Sequence, residues 1–175
     1  MTPSDSFAPS HPSMSVATAI PPGFQPLSMP NNGGFINQNG PLYLRHEGDQ
    51  VQMGFRVEPR HCNIMGKCHG GMLATFCDML LPLSAHRKSA AVGFRFLPTI
   101  SLQVDYLAPV NLGAWVEGEA DVLRVTRSLV FIDGLVRADG EAVLRCSGVF
   151  KIGPPFGDDL PTAAPASAPM PSPGA

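Results

Sequence analysis

This chain of 175 residues lacks long apolar runs, strong net charge and closely paired cysteines. It contains no stretch of 18 apolar residues, which argues against a helix that crosses a membrane. Its formal net charge is -2 at pH 7, so we expect no nucleic acid to be bound through bulk charge. No basic segment followed by an apolar run comes after Met1, and we therefore expect no secretory signal and a cytoplasmic location.

None of the four cysteines belongs to a Cys-x-x-Cys motif; they are Cys62, Cys68, Cys77 and Cys146. Without a secretory signal, we expect them to be reduced thiols. The pairs His61-Cys62 and Cys68-His69 place four potential metal ligands within nine residues. Structural zinc sites usually draw their ligands from two separated pairs of this kind, and no second cluster follows. We therefore expect no metal and no cofactor.

Proline is concentrated at the two ends of the chain. Of the 19 prolines, eight lie in residues 1–41 and seven in residues 153–175. Both ends carry almost no charge, and such a composition cannot build a packed core. We expect a poorly ordered segment at 1–39, a folded domain at 40–152 and a disordered tail from 153. Three apolar side chains could dock part of the first segment on the domain: Phe24, Leu27 and Phe35.

Hydrophobic periodicity predicts one buried helix and six strands. Apolar residues at helical spacing run from His69 to Leu83 and cover nearly every face, which is typical of a buried helix. Pro82 predicts a kink or an early end, because it has no backbone N–H to donate. Alternation predicts strands near residues 42–45, 51–57, 100–106, 116–122, 129–136 and 143–152. The order β-β-α-β-β-β-β predicts an α+β fold with a mostly antiparallel sheet wrapped around the helix.

The segment from Asn63 to Gly71, together with Asp78, is the part of the chain best suited to chemistry. Gly70 and Gly71 begin the predicted helix and leave backbone N–H groups that can stabilise a developing oxyanion. Asp78 is the only charged residue of the apolar helix, so its carboxylate needs a partner or a function. Structural alternatives stay open: tight packing at the glycines, a turn capped by Asn63, a helix cap at His69 and an exposed position for Asp78.

Asn63, the run His69-Gly70-Gly71 and an acid nine residues after the histidine resemble the signature of the hotdog-fold acyl-CoA thioesterases. Within these, the chain is similar to the PaaI-like group of the phenylacetate pathway. The resemblance covers about residues 41–152, including the element order, and Cys68 stands where an aliphatic residue is usual. It implies a hotdog fold, with a six-stranded antiparallel sheet around one long central helix. It also implies hydrolysis of an acyl-CoA thioester to a free acid and CoA.

The resemblance implies roles for individual residues. The backbone N–H of Gly70 would polarise the thioester carbonyl, with Gly71 beside it at the substrate. Asp78 would activate water or attack the carbonyl itself. Asn63 would hold the thioester or the water, and His69 would orient the loop that carries Asn63. Other substrate-binding candidates are the hydroxyl of Thr99 and, for the phosphates of CoA, Arg124 and Arg127.

Helix geometry predicts that the site is shared between two chains. Gly70 and Asp78 are eight residues apart, which is about 12 Å along a helix, whereas a reacting carbon must lie within about 3 Å of both groups. If both serve one site, they come from different chains. The resemblance likewise implies a homo-oligomer, at least a dimer and in many relatives a tetramer, with active sites at the dimer interface.

Two other functions stay open at this point. The first is a non-catalytic acyl-CoA binding module, although a binder has no need of Asp78. The second is a hotdog hydratase or dehydratase. A serine-hydrolase mechanism is disfavoured, because the chain contains no Gly-x-Ser-x-Gly motif. The acyl group is left open among aryl, medium-chain and long-chain.

Overall fold

The computed structural model of the chain describes residues 19–27, 34–48 and 50–156. The elements in chain order are β1 (Gln25–Pro26), α1 (Phe35–Asn39), β2 (Tyr43–Glu47), β3 (Gln50–Arg56), α2 (Gly70–Lys88), β4 (Thr99–Tyr106), β5 (Trp115–Val125), β6 (Leu129–Ala138) and β7 (Glu141–Lys151). A short 3-10 turn, Pro59–His61, lies between β3 and α2. This is the predicted α+β fold, with one long helix between the second and third of the predicted strands.

The strands form a single sheet in the order β1-β2-β3-β5-β6-β7-β4, and all neighbours are antiparallel. The sheet has seven strands, whereas six were predicted. The additional strand, β1, is only two residues long and shows no alternation that a sequence pattern could detect. Phe24 precedes it and is buried, with its ring centroid 5.0 Å from that of Trp115. Leu27 also packs against the core, but Phe35 is exposed.

Helix α2 is buried against one face of the sheet, mainly over β3 and β5. Its apolar side chains form the centre of the core, as the periodicity predicted. Two glycines of the sheet allow the close approach: a Cβ on Gly118 would lie 2.7 Å from Leu80, and one on Gly148 would lie 3.0 Å from Leu81. The helix is thus held at a fixed depth, and this fixes where its first residues and its single acid lie.

Pro82 does not end the helix, so the expected early end is wrong. The helix continues to Lys88, because Ser84 and Ala85 in its last turns are completely buried. Pro82 still lacks the N–H that would bond to the carbonyl of Asp78. Packing of the last two turns therefore outweighs the loss of one backbone hydrogen bond.

The predicted domain limits remain predictions, because residues 1–18, 28–33 and 157–175 lie outside the described part of the chain. After residue 152 the described chain still makes contacts. Pro155 pairs with Arg95, and the ring of Phe156 lies 4.7 Å from that of Phe94. Within the described ranges, no helix is both long enough and apolar enough to cross a membrane.

Candidate active site

The start of helix α2 leaves one backbone donor without a partner. His69 is the N-cap: its Nδ1 accepts a hydrogen bond from the N–H of Gly71 at 3.1 Å. The carbonyl of His69 accepts from Met72 at 2.9 Å and from Leu73 at 3.3 Å. The N–H of Gly70 has no acceptor within the described part of the chain. Of the first-turn donors, it is therefore the one left to bind a ligand.

Tyr106, at the end of β4, lies directly against Gly70. Its hydroxyl donates a hydrogen bond to the carbonyl of Gly70 at 2.8 Å. A Cβ on Gly70 would lie 3.2 Å from both Cζ and Oη of the phenol, which is tighter than ordinary contact. The glycine thus serves close packing as well as exposing its N–H. Sequence reasoning missed Tyr106, because its contact with Gly70 joins residues that are 36 positions apart in the chain.

The loop before the helix is shaped by Asn63. Its Oδ1 accepts hydrogen bonds from the N–H groups of Met65 at 2.9 Å and Lys67 at 3.2 Å, so it caps a tight turn. The structural alternative for this residue is therefore observed. Its Nδ2 makes no hydrogen bond to any described residue, and the side chain is exposed. One side chain thus orders the loop and still presents an amide donor to solvent.

The buried His61, which is 3% exposed, holds the loop on the side of the core. The carbonyl of His61 accepts from the N–H of His69 at 2.7 Å, and its Nδ1 accepts from the N–H of Glu58 at 3.0 Å. Burial lowers the pKa of His61 below its ordinary value of 6.5, and the nearby Arg60 lowers it further. The neutral ring is therefore the form that holds the loop in place near neutral pH.

The loop, the helix start and the end of β4 surround an open cleft of about 620 Å³. Asn63, Gly70 and Gly71 line it together with Tyr106. The structure therefore brings three of the predicted site residues to one cleft, while His69 caps the helix beside them. Lys67 also lines the cleft, where its ammonium donates to the side-chain oxygen of Asn111. We call Asn63, Gly70 and Gly71 the amide half-site.

The predicted acid lies farther along the same helix. Asp78 is half-buried, and its Oδ1 accepts a hydrogen bond from the hydroxyl of Thr99 at 2.6 Å. Thr99 is the first residue of β4, so two elements hold the carboxylate. We call Asp78 and Thr99 the acid half-site. Neither residue lines the cleft at Gly70, as the helical separation of about 12 Å requires.

The two arginines predicted for CoA belong neither to the lining of the cleft nor to the hydrogen bond between Asp78 and Thr99. Arg124 is near the end of β5 and Arg127 is in the turn before β6, and both are exposed. Neither lines the cleft, and neither makes an ion pair with another described residue. In the same ranges, no group of three or more His, Cys, Asp or Glu side chains is arranged to hold a metal ion. All four cysteines are free thiols.

Comparison with known sequences gives one family and two relatives. Residues 65–144 match the family model of the thioesterase superfamily. A protein of Pseudomonas aeruginosa named a "putative esterase" is 27% identical over 139 residues, which cover 76% of this chain and 97% of that protein. A Caenorhabditis elegans protein with the same description is 32% identical over 92 residues, which cover 53% of each chain.

Solved structures show the same fold. Zebra fish thioesterase superfamily member 2 has a TM-score of 0.61 and 21% identity, covering 70% of this chain and 88% of that one. A mutant of the phenylacetic acid degradation protein PaaI from Thermus thermophilus has a TM-score of 0.55 and 22% identity. The alignment covers 63% of this chain and 91% of that one. A hypothetical thioesterase of Streptococcus pneumoniae with coenzyme A has a TM-score of 0.57 and 20% identity. The alignment covers 65% of this chain and 88% of that one. The hotdog fold implied by the sequence is thus confirmed, and residues 65–144 of this fold are the part that matches the thioesterase superfamily.

Proposed function

We propose that this protein hydrolyses acyl-CoA thioesters to a free acid and CoA. The match of residues 65–144 to the thioesterase superfamily model and the names of the two relatives support an esterase or thioesterase activity in general. The similar Streptococcus pneumoniae structure contains coenzyme A, which supports CoA as the thiol part of the substrate here. The observation that carries the proposal is the unpaired N–H of Gly70 in an open cleft, on the same helix as one half-buried carboxylate.

The amide half-site suits the developing negative charge of a thioester under attack. The N–H of Gly70 lies at the positive end of a 19-residue helix, where the helix dipole also favours an anion. The Nδ2 group of Asn63 supplies a second donor at the same cleft. Loss of one such oxyanion donor typically costs about 2.7–4 kcal/mol in the transition state.

The acid half-site suits activation of the attacking water. In our proposal Asp78 acts as general base or as nucleophile, and the hydroxyl of Thr99 holds one oxygen of its carboxylate. The other oxygen accepts no hydrogen bond from the described residues, so it is available to water or substrate. A thiolate leaves more readily than an amine, so one carboxylate and an oxyanion site suffice for the chemistry.

We further propose that two chains complete each site. The two half-sites of one chain are too far apart to act on one carbon, so each must face the complementary half-site of a second copy. Strand β4 is an edge of the sheet, and it carries apolar side chains that are strongly exposed for a strand, with Ile100 at 57% and Tyr106 at 52%. Pairing of β4 with a second copy would cover this edge. Both half-sites touch β4, so this pairing would also bring them together.

The parts of the proposal that concern binding and location rest on charge and thiol content. We propose Arg124 and Arg127 for the phosphates of CoA, because both guanidinium groups are exposed and unpaired among the described residues. We also propose the cytoplasm as the compartment, where thiols such as those of the four cysteines stay reduced.

The test is a panel of aryl, medium-chain and long-chain acyl-CoA substrates with a colorimetric readout of released thiol. We expect turnover of at least one class, and a loss of at least about a hundredfold in kcat for Asp78→Asn with the fold retained. Glu141→Gln, an exposed acid in the β6–β7 hairpin, is the matched control and should keep full activity. Saturable binding of acyl-CoA without thiol release would replace the proposal with a binding module. Hydration of an enoyl-CoA without thiol release would replace it with a hydratase.

A further inference from the structure

Two cysteines face each other across the base of the loop that carries Asn63. Cys62 and Cys68 form an isolated antiparallel β-bridge. The hydrogen bonds on either side of the bridge run from the N–H of Asn63 to the carbonyl of Lys67 at 2.8 Å, and from the N–H of His69 to the carbonyl of His61 at 2.7 Å. The two cysteines themselves exchange no backbone hydrogen bond, so they form a non-hydrogen-bonded pair.

This pairing brings the two side chains close together. In a non-hydrogen-bonded antiparallel pair the Cα atoms are about 4.5 Å apart and both side chains point to the same face. Disulfides span Cα separations of about 4.4–6.8 Å, so the backbone is within the range that a disulfide can bridge. Both thiols are free, and both side chains pack against the same hydrophobic core.

The pair lies at the junction between two parts of the proposed site. Cys62 immediately precedes Asn63, and Cys68 immediately precedes the N-cap His69. Cys68 also lines the cleft, and its N–H is fixed to the carbonyl of Val110 at 2.8 Å. A bond between the two sulfur atoms would therefore act on both sides of the amide half-site.

We propose that Cys62 and Cys68 are a peroxide-sensitive thiol pair whose disulfide lowers the activity of the amide half-site. The oxidant is hydrogen peroxide or an organic hydroperoxide. The thiolate of Cys62 attacks the O–O bond, which yields a sulfenic acid and one water or alcohol. The thiolate of Cys68 then attacks that sulfur and displaces a water. Two thiols lose two electrons and two protons in total, and one peroxide is reduced.

The order of attack follows from exposure. Cys62 is half-buried, whereas Cys68 is 7% exposed. Burial raises the pKa of both thiols, that of Cys68 to about 12, and the neighbouring Cys62 contributes to the increase. The more accessible Cys62 is therefore the first to react, and the reaction should be faster at pH 8.5 than at pH 7, because the thiolate is the nucleophile.

The effect on activity rests on the proposed function. Cβ atoms of paired strands lie about 4.5–5.5 Å apart, whereas a disulfide needs about 3.5–4.5 Å, so the two short segments must move together by up to about 1 Å. The neighbours that move with them are Asn63 and His69. Displacements of this size in a catalytic site can cost about a hundredfold in rate. We expect a loss of at least about tenfold in turnover.

The experiment treats the full-length protein with millimolar hydrogen peroxide and maps tryptic peptides without reduction. Trypsin cleaves after Arg60, Lys67 and Arg87, so a Cys62–Cys68 disulfide joins peptide 61–67 to peptide 68–87. We expect this linked product, a loss of two hydrogens from the intact monomer and reversal by dithiothreitol. Fragmentation of the linked product should assign the bond to Cys68 rather than to Cys77 on the same peptide. Cys62→Ser and Cys68→Ser should prevent the link and the loss of thiol release.

Cys77 and Cys146 provide the internal control, because they are 0% and 1% exposed in the core. Cys146→Ala should form the Cys62–Cys68 link as the wild type does. Unlinked peptides after peroxide treatment, or a link between two chains, would overturn the proposal. A complete link with unchanged turnover would overturn the effect on activity. If the reduced protein releases no thiol from any acyl-CoA, the proposed function fails, while the peptide map still tests the thiol pair.

Discussion

The hydroxyl of Thr99 lies 2.6 Å from Oδ1 of Asp78 and donates a hydrogen bond to it. This bond connects the first residue of the edge strand β4 to the middle of the central helix α2. It fixes one oxygen of the carboxylate and leaves the other without a described partner. The acid is therefore oriented by the strand that, in the proposed dimer, contacts the second copy.

Removal of this hydroxyl should affect turnover more than binding. We expect Thr99→Ala to lower kcat by about 10- to 150-fold with little change in KM, because a hydrogen bond to a charged group contributes about 1.5–3 kcal/mol. Thr99→Ser keeps the hydroxyl and should restore most of kcat. Steady-state kinetics on the best acyl-CoA substrate measures both parameters. A rise in KM with unchanged kcat would assign Thr99 to substrate binding instead.

Gly70 offers a way to delete a single backbone donor. It is the first residue of α2, where proline is tolerated, and His69 before it has the extended backbone that a following proline requires. Gly70→Pro should therefore lower kcat by about 10²–10³-fold while the helix persists, because it removes the unpaired N–H. Circular dichroism and thermal unfolding check that the helix and the fold are retained.

Gly70→Ala is the matched control for this variant. It keeps the N–H, but its Cβ would press on Tyr106 at 3.2 Å. We expect a loss of less than about tenfold, since the phenol must shift only slightly. Equal losses in the two variants would show that crowding against Tyr106, and not the donor, accounts for the effect.

The sequence predicted the fold well where side-chain patterns are long. Met72, Phe76 and Leu80 recur at helical spacing, so the buried helix was predicted, although its end was not. The predicted end of the helix was wrong because it was placed from the local effect of Pro82 alone. Burial of the following turns outweighs that effect, and only the tertiary structure reveals it. The two-residue strand β1 and the position of β4 at the sheet edge have no sequence pattern, because pairing partners are distant in the chain.

The candidate site divides in the same way. Asp78 could be found because a lone acid stands out in an apolar helix, and Gly70 because glycines begin that helix. The contact of Tyr106 with Gly70 joins residues that are 36 positions apart in the chain, and no local sequence pattern predicts it. The Oδ1 contacts of Asn63 were foreseen as the structural alternative, a capped turn. Its role at a substrate stays a prediction.

The exposed edge strand should determine the oligomeric state. We expect Ile100→Lys to convert the proposed dimer to a monomer and to abolish turnover, because a charge would be buried without a partner at the β4 interface. Light scattering on the purified protein gives the mass directly. Leu123→Lys is the control: Leu123 on β5 is 63% exposed, similar to Ile100, but it is not on the edge strand. A dimer that survives Ile100→Lys would place the interface elsewhere.

The buried His61 and the half-buried His86 should make stability fall at acidic pH. Burial lowers the pKa of His61 and of His86 below the ordinary value of 6.5. Below pH 6.5 the unfolded chain therefore binds protons that the folded chain does not, and the free energy of unfolding decreases. The decrease begins near pH 6.5, continues until the folded pKa values are passed, and is at most about 1.4 kcal/mol per pH unit for each histidine.

Melting temperatures between pH 7.5 and pH 5 test this expectation. His61→Asn can keep the acceptor for the N–H of Glu58, and His86→Gln can keep the group that contacts the carbonyl of Arg95. Each variant should show a shallower decline than the wild type. His46→Asn, at an exposed position on β2, is the control. A decline with the same slope in all four proteins would assign the acid sensitivity to other groups.

A mixture of two inactive variants tests the division of the site between chains. Gly70→Pro damages only the amide half-site, and Asp78→Asn damages only the acid half-site. If each site takes its amide half from one chain and its acid half from the other, a mixed dimer has one doubly damaged site and one intact site. Random refolding makes half of the dimers mixed, so activity should return to about a quarter of that of the wild type. Native mass spectrometry confirms that mixed dimers form. Mixed dimers without activity would show that the donor and the acid of each site belong to the same chain.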